Sequence, residues 1–225
     1  MEQQKCPDFL RQYFPFWDKL TDTERQKLCQ AAKPARFDKG AHIHGGDGSC
    51  TGVLIVEKGC LRVYLMSDEG REITLYRLYA GEVCILSASC AMRQVTFDVF
   101  VDAEEESMVQ IVNGSAFAEV TASNIYAENF ALRSAAESFS SAMWVMQQIL
   151  FMSFDKRLAI FLLDEAAKTG SDTLHLTHDQ IARYMGSARE VVSRMLRYFT
   201  SEGLVRVSRG TVEILDKKGL RKRTE

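Results

Sequence analysis

The chain has 225 residues, of which 46% are hydrophobic and 26% charged, with a formal net charge of -2. This length allows two modest domains with sizeable cores. Because the sequence contains no apolar run of about 18 residues and no basic-then-apolar N-terminus, we expect a cytoplasmic protein that makes no membrane contact. Residues 153–225 carry 14 Lys and Arg against 10 Asp and Glu, whereas residues 1–152 carry 14 against 20, so only the C-terminal part is expected to meet a polyanion.

The first half of the chain changes from helical to strand-like sequence. Residues 8–32 predict short helices, and Thr21 followed by Glu24 forms a capping-box start. From about Phe37 onward, glycines separate short β-rich stretches at residues 53–56, 61–66 and 72–78. Closely spaced strands with glycine turns are typical of a sandwich or barrel and not of a parallel sheet.

Two turns organise the remaining strands of this region. The Ser-Asp-Glu-Gly stretch at residues 67–70 lies between two strands and indicates a hairpin. An acidic turn at residues 103–106 separates two more predicted strands, at residues 95–101 and 108–112. We therefore expect a β-rich domain within residues 1–122.

After Asn113 the apolar pattern becomes helical, and one stripe recurs alternately at four and three residues. Its members are Ile125, Asn129, Leu132, Ala136, Phe139, Met143, Met146 and Leu150. Such a stripe suits a coiled-coil seam, in which a polar residue such as Asn129 sets the register. An ordinary helix facing its own core is the alternative. The length of the stripe and Asn129 favour a dimerisation helix at residues 123–152.

A further helix is expected to begin near Ser153, which is a good N-cap, and to end at Gly170. Residues 151–153 are then the hinge between the long helix and a C-terminal domain at residues 153–225. A signal could reorient that domain by rotation at this hinge.

The C-terminal domain contains two capped helices around a glycine. Thr177 with Gln180 forms a capping box for a short helix, and Ser187 with Glu190 forms one for a longer helix. Gly186 marks a tight turn between them. This arrangement predicts a helix-turn-helix.

The longer helix divides into two faces at 100° per residue. The apolar arc comprises Val191, Val192, Met195, Leu196, Tyr198 and Phe199. The polar arc comprises Arg189, Glu190, Ser193, Arg194 and Arg197. Arginine pairs with guanine O6 and N7, glutamate accepts from cytosine N4, and both arginine and serine can bind phosphate. We expect Arg189, Glu190 and Arg194 to read bases. Ser193 is left open, Glu190 could serve only as a cap, and Arg197 only as a phosphate contact.

Two short strands at residues 204–207 and 211–215 flank Ser208-Arg209-Gly210 and predict a wing hairpin. Arg206 and Arg209 are candidate phosphate contacts, although exposed hairpin arginines often serve only solubility. Thr177 and Ser187, at the predicted helix starts, complete the predicted DNA-binding set.

Residues 176–182, 186–196 and 202–205 resemble the winged helix-turn-helix of the cyclic-AMP-receptor/fumarate-nitrate-reductase (Crp/Fnr) regulators. Lys39-Gly40, Val56-Glu57-Lys58-Gly59 and Gly81-Glu82 also sit where that family has them. The resemblance implies an α+β fold with an effector-sensing jelly roll, a double-stranded β-helix of the cyclic-nucleotide-binding type, at residues 1–122. A long dimerisation helix and a winged helix-turn-helix then follow.

The resemblance also implies a function, that of a homodimeric transcription regulator without catalytic activity. Its partners would be double-stranded DNA, at a palindrome with half-sites about one helical turn apart, and RNA polymerase. Arg189, Glu190 and Arg194 resemble the cyclic-AMP branch, whereas Glu190, Ser193 and Arg194 resemble the oxygen-sensing branch. Both branches read TGA half-sites, so we expect a TGA core. The expected dimer interface comprises Leu132, Ala136, Phe139, Met143, Met146 and Leu150.

Cyclic AMP is disfavoured as the effector. Cyclic-nucleotide binders of this family follow Gly-Glu with an Arg-Ser or Arg-Thr pair that neutralises the phosphate. Here no such pair follows Gly81-Glu82, and Arg93 is the nearest cation. Ala142 and Met143 stand where the cyclic-AMP branch has hydroxyl contacts to adenine. A buried phosphate without its guanidinium would cost several kcal/mol.

Other cofactors are disfavoured as well. The six cysteines lack the cluster near the N-terminus that an iron-sulfur centre needs. In a reducing cytosol each is expected to be a buried thiol and not a disulfide partner. Haem is not expected at His42 or His44, because strand histidines usually face solvent and ligation needs a supporting partner. The effector is left as an unidentified small molecule or a redox signal at Cys84 and Cys90. The expected pocket comprises Gly81, Glu82, Cys84, Cys90, Arg93 and Met143.

Two other function classes stay open. A metal-dependent jelly-roll enzyme needs a His, Glu and Asp cluster on facing strands, for which His42 and His44 fall short, so no metal site is expected. A regulatory ligand-binding module that acts through protein contacts would need no DNA affinity. Salt-dependent binding to a TGA palindrome separates both from a DNA-binding regulator.

Overall fold

The structure is a computed structural model that describes residues 6–45, 50–88 and 99–224. Its contacts divide the chain into two compact units. The first comprises Met1–Leu65 and Leu75–Ala142, and the second comprises Met66–Thr74 and Met143–Glu225. None of the helices in the described part of the chain is long and apolar enough to cross a membrane.

Short helices open the first unit. They are α1 (Cys6–Tyr13), a 3-10 turn (Trp17–Lys19) and α2 (Asp22–Ala31). The predicted capping box at the start of α2 is confirmed, because Thr21 Oγ1 accepts from the Glu24 N–H at 3.3 Å and the Glu24 carboxylate accepts from the Thr21 N–H at 2.8 Å. These two bonds satisfy N–H groups that a helix start leaves unpaired.

Two four-stranded sheets follow and confirm the predicted β-rich domain. The strands are β1 (Ala32–Phe37), β2 (His42–His44), β3 (Val53–Lys58), β4 (Cys60–Met66), β5 (Glu72–Tyr79), β6 (Val83–Cys84), β7 (Phe100–Ala103) and β8 (Ser107–Val112). The sheet orders are β1-β8-β3-β6 and β2-β7-β4-β5. The hairpin predicted at residues 67–70 joins β4 to β5 and is closed by the Gly70 N–H donating to the Ser67 carbonyl. The strand predicted at residues 95–101 lies mostly outside the described residues.

The core of the first unit lies between the sheets and the flanking helices. Val53, Leu54, Ile55 and Val56 are all buried, so β3 is covered on both faces. Phe14 and Phe117, the latter on α3 (Gly114–Ser123), are also fully buried. The long helix α4 (Ile125–Phe151) adds Ala127 and Phe130 to this core.

The second unit contains a small helical domain with its own core. Its elements are α5 (Phe154–Thr169), β9 (Thr173–Leu174), α6 (His178–Met185), α7 (Arg189–Ser201), β10 (Val205–Ser208), β11 (Thr211–Ile214) and α8 (Lys217–Lys222). The three strands pair in the order β10-β11-β9. Ser153 and Gly170 bound α5, as predicted. The Ser153 side chain bonds the Asp155 carboxylate, which lowers the pKa of Asp155, and does not cap the helix.

The cysteines depart in part from the prediction. Cys60 and Cys84 are buried free thiols, as expected, but Cys29 and Cys50 are disulfide-bonded. The prediction was therefore wrong for Cys29 and Cys50. A disulfide depends on two Cβ atoms meeting within about 4.5 Å, and the separation of cysteines along the chain does not reveal such proximity. Cys6 and Cys90 lie outside the described side chains.

Candidate nucleic-acid interface

The first helix of the predicted helix-turn-helix, α6, begins at a capping box. Thr177 Oγ1 accepts from the Gln180 N–H at 3.2 Å, and Gln180 Oε1 accepts from the Thr177 N–H at 2.8 Å. This confirms the first predicted capping box. The start of α6 is therefore fixed by residues only three positions apart.

The turn between α6 and α7 depends on Gly186. Its φ of 60° and ψ of 44° lie in the left-handed region, which glycine adopts without steric cost. The Ser187 N–H donates to the Ala182 carbonyl at 2.9 Å and completes the end of α6. A Cβ at position 186 would lie 2.5 Å from Ile73 Cγ1. A larger residue at position 186 would therefore be strained in its backbone and would clash with Ile73.

The second predicted capping box, Ser187 with Glu190, is wrong. Ala188 is the N-cap of α7, and no side-chain hydrogen bond caps the helix there. The reason lies in the preceding turn, where the backbone of Ser187 is used to end α6. The N-cap therefore passes to the next residue, and Glu190 has no capping role.

The two faces predicted for α7 are present in the structure. Val192, Leu196 and Phe199 are buried in the core of the second unit. The exposed face carries Arg189, Glu190, Arg194 and Arg197. Tyr198 departs from the predicted apolar arc because it is 40% exposed, and the Arg223 guanidinium lies 5.4 Å from the centre of its ring.

Ser193 is engaged inside the protein. Its Oγ lies 2.7 Å from Nδ1 of His178, the first residue of α6, in a partly buried hydrogen bond. Burial lowers the pKa of His178, and Arg189 lowers it further against the opposing effect of Asp179. The imidazole is therefore neutral at neutral pH. Sequence reasoning missed this contact, because no local spacing signals a bond between two helices on either side of a turn.

The charged groups of α7 are hardly neutralised by the protein. Arg189 Nε lies 3.6 Å from the Asp179 carboxylate, in an ion pair that is exposed on both sides and therefore weak. Glu190 and Arg194 form no hydrogen bond or ion pair within residues 6–45, 50–88 and 99–224. Exposed groups of this kind can exchange water for the donors and acceptors of a base pair.

The predicted wing is confirmed. β10 and β11 pair with Ser208 opposite Thr211. Arg206 lies opposite Glu213 and forms an ion pair with it at 2.8 Å, so this candidate phosphate contact is partly neutralised. Arg209 lies at the exposed tip and makes no ion pair with the described residues.

The predicted effector-pocket residues lie in different environments. Gly81 and Glu82 are exposed, and the Glu82 carboxylate accepts from the Tyr79 N–H at 2.7 Å, which closes the turn after β5. Cys84 is buried, whereas Met143 is exposed on α4. The other two predicted residues, Cys90 and Arg93, lie outside the described part of the chain.

A polar cluster not anticipated from the sequence surrounds Cys84. The Tyr76 hydroxyl donates to Ser138 Oγ at 3.3 Å and also hydrogen-bonds Cys84. Burial raises the pKa of both Tyr76 and Cys84. Because the thiolate is the reactive form of cysteine, a protonated buried thiol disfavours redox chemistry at Cys84. The cluster joins β5 to α4 within the first unit.

The two strand histidines are held by hydrogen bonds. His42 Nδ1 lies 2.8 Å from the Asp102 carboxylate, and His44 Nδ1 lies 2.8 Å from Thr51 Oγ1. His44 is buried, although strand histidines were expected to face solvent. No group of three or more His, Cys, Asp or Glu side chains within the described residues could hold a metal ion.

The helix α4 has two apolar faces. Ala127, Phe130, Ala131 and Ala135 pack against the core of the first unit. Every position of the predicted seam is nevertheless exposed in the single chain, namely Ile125, Asn129, Leu132, Ala136, Phe139, Met143, Met146 and Leu150. A helix that served only its own core would not carry such a second stripe.

Comparisons with known proteins agree with a helix-turn-helix regulator. The Crp-like helix-turn-helix domain family matches residues 156–223. A solved structure from Eubacterium rectale, described as a regulator of the Crp/Fnr family, is 42% identical, covers 94% of this chain and 98% of its own, and superposes with a TM-score of 0.90.

Less similar proteins also match over most of the chain. The transcriptional regulatory protein btr of Bordetella pertussis is 27% identical over 207 residues, which is 88% of this chain and 84% of btr. The structure of FixK2 from Bradyrhizobium japonicum is 18% identical, covers 86% of this chain and 98% of its own, and has a TM-score of 0.67. The FixK2 likeness shows the fold alone.

Proposed function

Because the chain belongs to the Crp/Fnr family of transcriptional regulators, we propose that it is a homodimer that binds a DNA palindrome with TGA-containing half-sites. Each protomer inserts α7 into the major groove. The observation that carries the proposal is the exposed face of α7, on which Glu190 and Arg194 have no partner within the described residues.

Each polar side chain of this face has a role that its chemistry permits. Arg189 and Arg194 present guanidinium groups to guanine, and Glu190 accepts from the cytosine of a G·C pair. A TGA half-site contains one such pair. Arg197 and the wing residue Arg209, both exposed, bind phosphate and fix the position of the protein on the duplex.

The second stripe of α4 supports a dimer. Leu132, Phe139 and Leu150 are each about 60% exposed in the single chain, and pairing two such stripes removes this apolar surface from water. A two-fold axis along α4 gives two copies of α7, which matches a palindrome. The regulator then acts on transcription through RNA polymerase.

The proposed signal is a small effector in the first unit, other than cyclic AMP. The cluster of Tyr76, Ser138 and Cys84 supports this position, because it joins a strand to the dimerisation helix. A ligand that altered these bonds would act on α4. The hydrogen-bonding groups of the cluster are uncharged at neutral pH, which suits a neutral ligand group better than a phosphate.

Fluorescence anisotropy with two labelled duplexes tests the proposal. One duplex carries two TGA half-sites about 10 base pairs apart, centre to centre, and the other carries the same bases in scrambled order. We expect tighter binding to the palindrome and a linear fall of log affinity with log salt. Arg194→Ala should reduce the preference by about 1–3 kcal/mol, whereas Lys33→Ala, at an exposed site in the first unit, should not. Equal affinity for both duplexes, with or without added cell extract as a source of effector, would contradict the proposal.

A further inference from the structure

A short basic helix, α8, follows the wing and is anchored to the second unit. Leu220 is fully buried in the core of that unit, and the Asp216 carboxylate caps the helix by accepting from the Gly219 N–H at 2.9 Å. Arg223 forms an ion pair with Glu202 at 3.1 Å. The helix is therefore held in place at its start, middle and end.

The basic residues of α8 fall into two groups. Lys217 pairs with Asp172, and Arg223 pairs with Glu202. The second group, Lys218, Arg221 and Lys222, is exposed and forms no ion pair within the described part of the chain. At 100° per residue these three side chains lie within an arc of about 100°, opposite Leu220. We call this arc the cationic face of α8.

The position of α8 relative to α7 suggests the partner of this face. Arg223 contacts both Tyr198, in the last turn of α7, and Glu202, its C-cap. α7 has 13 residues, which corresponds to about 20 Å, whereas the major groove is about 12 Å wide. A helix seated in that groove therefore extends at its C-terminal end to the phosphate backbone that borders the groove.

We infer that the cationic face of α8 binds the phosphate backbone of the same duplex, next to the half-site that α7 reads. The inference rests on the proposed function, because it requires α7 to lie in the groove. DNA is the polyanion nearest to this end of α7, and a face with three cations and no acidic neighbour on the helix suits phosphates. The footprint of the protein would then extend beyond the bases that it reads.

The salt dependence of DNA binding tests this inference. The variant is Lys218→Gln/Arg221→Gln/Lys222→Gln, which leaves the Leu220 anchor in place. Each phosphate contact contributes about 0.9 to the slope of log affinity against log salt, so we expect the slope to fall by about 2.7 per protomer. Affinity at about 0.1 M salt should fall at least tenfold. The matched control is Lys33→Gln/Lys39→Gln/Lys58→Gln, which removes three exposed lysines of the first unit and should leave the slope unchanged.

Duplex length gives an independent measurement. Wild-type protein should bind a duplex extended by one helical turn on each side more tightly than one that ends at the half-sites, and the triple α8 variant should not distinguish the two. An unchanged slope and an unchanged length preference in the triple variant would overturn the inference. The same result is expected if the cationic face of α8 binds an acidic protein and not DNA. If the triple variant does not fold, as judged by circular dichroism, Lys222→Gln alone should lower the slope by about 0.9 per protomer. Loss of sequence preference in wild type would instead contradict the proposed function.

Discussion

Ser193 Oγ, on the polar face of α7, lies 2.7 Å from His178 Nδ1 at the start of α6. One of the five polar side chains of the α7 face is thus bonded to the neighbouring helix. The bond spans the turn at Gly186 and holds the two helices of the motif in one orientation. We therefore expect Ser193 to position α7 and not to contact a base directly.

A double-mutant cycle separates positioning from base reading. We expect His178→Ala and Ser193→Ala each to lower discrimination against altered half-sites by about 1 kcal/mol, the usual net value of a hydrogen bond. The double variant should be no worse than either single variant, because both remove the same bond. Measured over all single-base changes of the half-site, the loss should be spread evenly. If Ser193→Ala instead lowered discrimination at one base pair only, and its effect added to that of His178→Ala, Ser193 would read that base.

The lowered pKa of His178 predicts a pH dependence of stability. Because burial and Arg189 depress the pKa in the folded state, the unfolded chain binds the proton more readily. The contribution of neutral His178 to the free energy of unfolding is therefore fully present above the unfolded pKa of about 6.5. It is lost as the pH falls through the folded pKa. Titration of the imidazole by NMR should show this lower pKa. His178→Gln should reduce the difference in unfolding free energy between pH 7 and pH 5, and an unchanged difference would contradict the assignment.

Gly186 should be less replaceable than Gly170, the other glycine that ends a helix in the left-handed region. Gly170→Ala, at a φ of 64° with nothing within 4 Å of the new Cβ, should cost about 1–2 kcal/mol from backbone strain alone. Gly186→Ala should cost about 1–3 kcal/mol more, because its Cβ would meet Ile73. In an Ile73→Ala background the two substitutions should cost the same, as measured by urea unfolding. Equal costs in the wild-type background would argue against the contact.

Phe139 should be essential for the dimer. It is 62% exposed in the single chain, and Phe139→Glu would place a charge in the centre of the seam. Burial of one such side chain contributes about 1.5–3 kcal/mol. Because both protomers carry the substitution, the dissociation constant of the dimer should rise at least tenfold. Sedimentation equilibrium measures this. Ser140→Glu adds the same charge one residue away, outside the stripe, and should leave the dimer intact.

Cysteine labelling should follow burial. The pKa of Cys84 is raised by burial, and the pKa of Cys60 is raised to about 12, so neither should react with iodoacetamide at pH 8 in the native protein. Both should react after unfolding. Cys29 and Cys50, which are disulfide-bonded, should react only after reduction. Mass spectrometry locates the modified residues, and rapid native labelling of Cys84 would restore it as a redox candidate.

Much of the DNA-binding motif could be predicted because its signals are local. The Thr177–Gln180 capping box, the turn at Gly186 and the wing each depend on residues a few positions apart. The seam of α4 follows from a simple repeat, and all of its positions are exposed as the coiled-coil interpretation requires. The Ser187–Glu190 prediction failed even though its pattern was correct, because two adjacent helices compete for the backbone of one short turn.

The amino-acid sequence by itself determined the order of the elements, the family and the arginine-rich face of α7, because hydrophobic periodicity, caps and turns act over three or four residues. Only the tertiary structure decided which distant residues meet. The bond from His178 to Ser193, the burial of Cys84 beside Tyr76 and Ser138 and the contact of Ile73 with Gly186 all join separate elements. Such contacts depend on how the packed core brings chain segments together, and no short spacing along the chain encodes them.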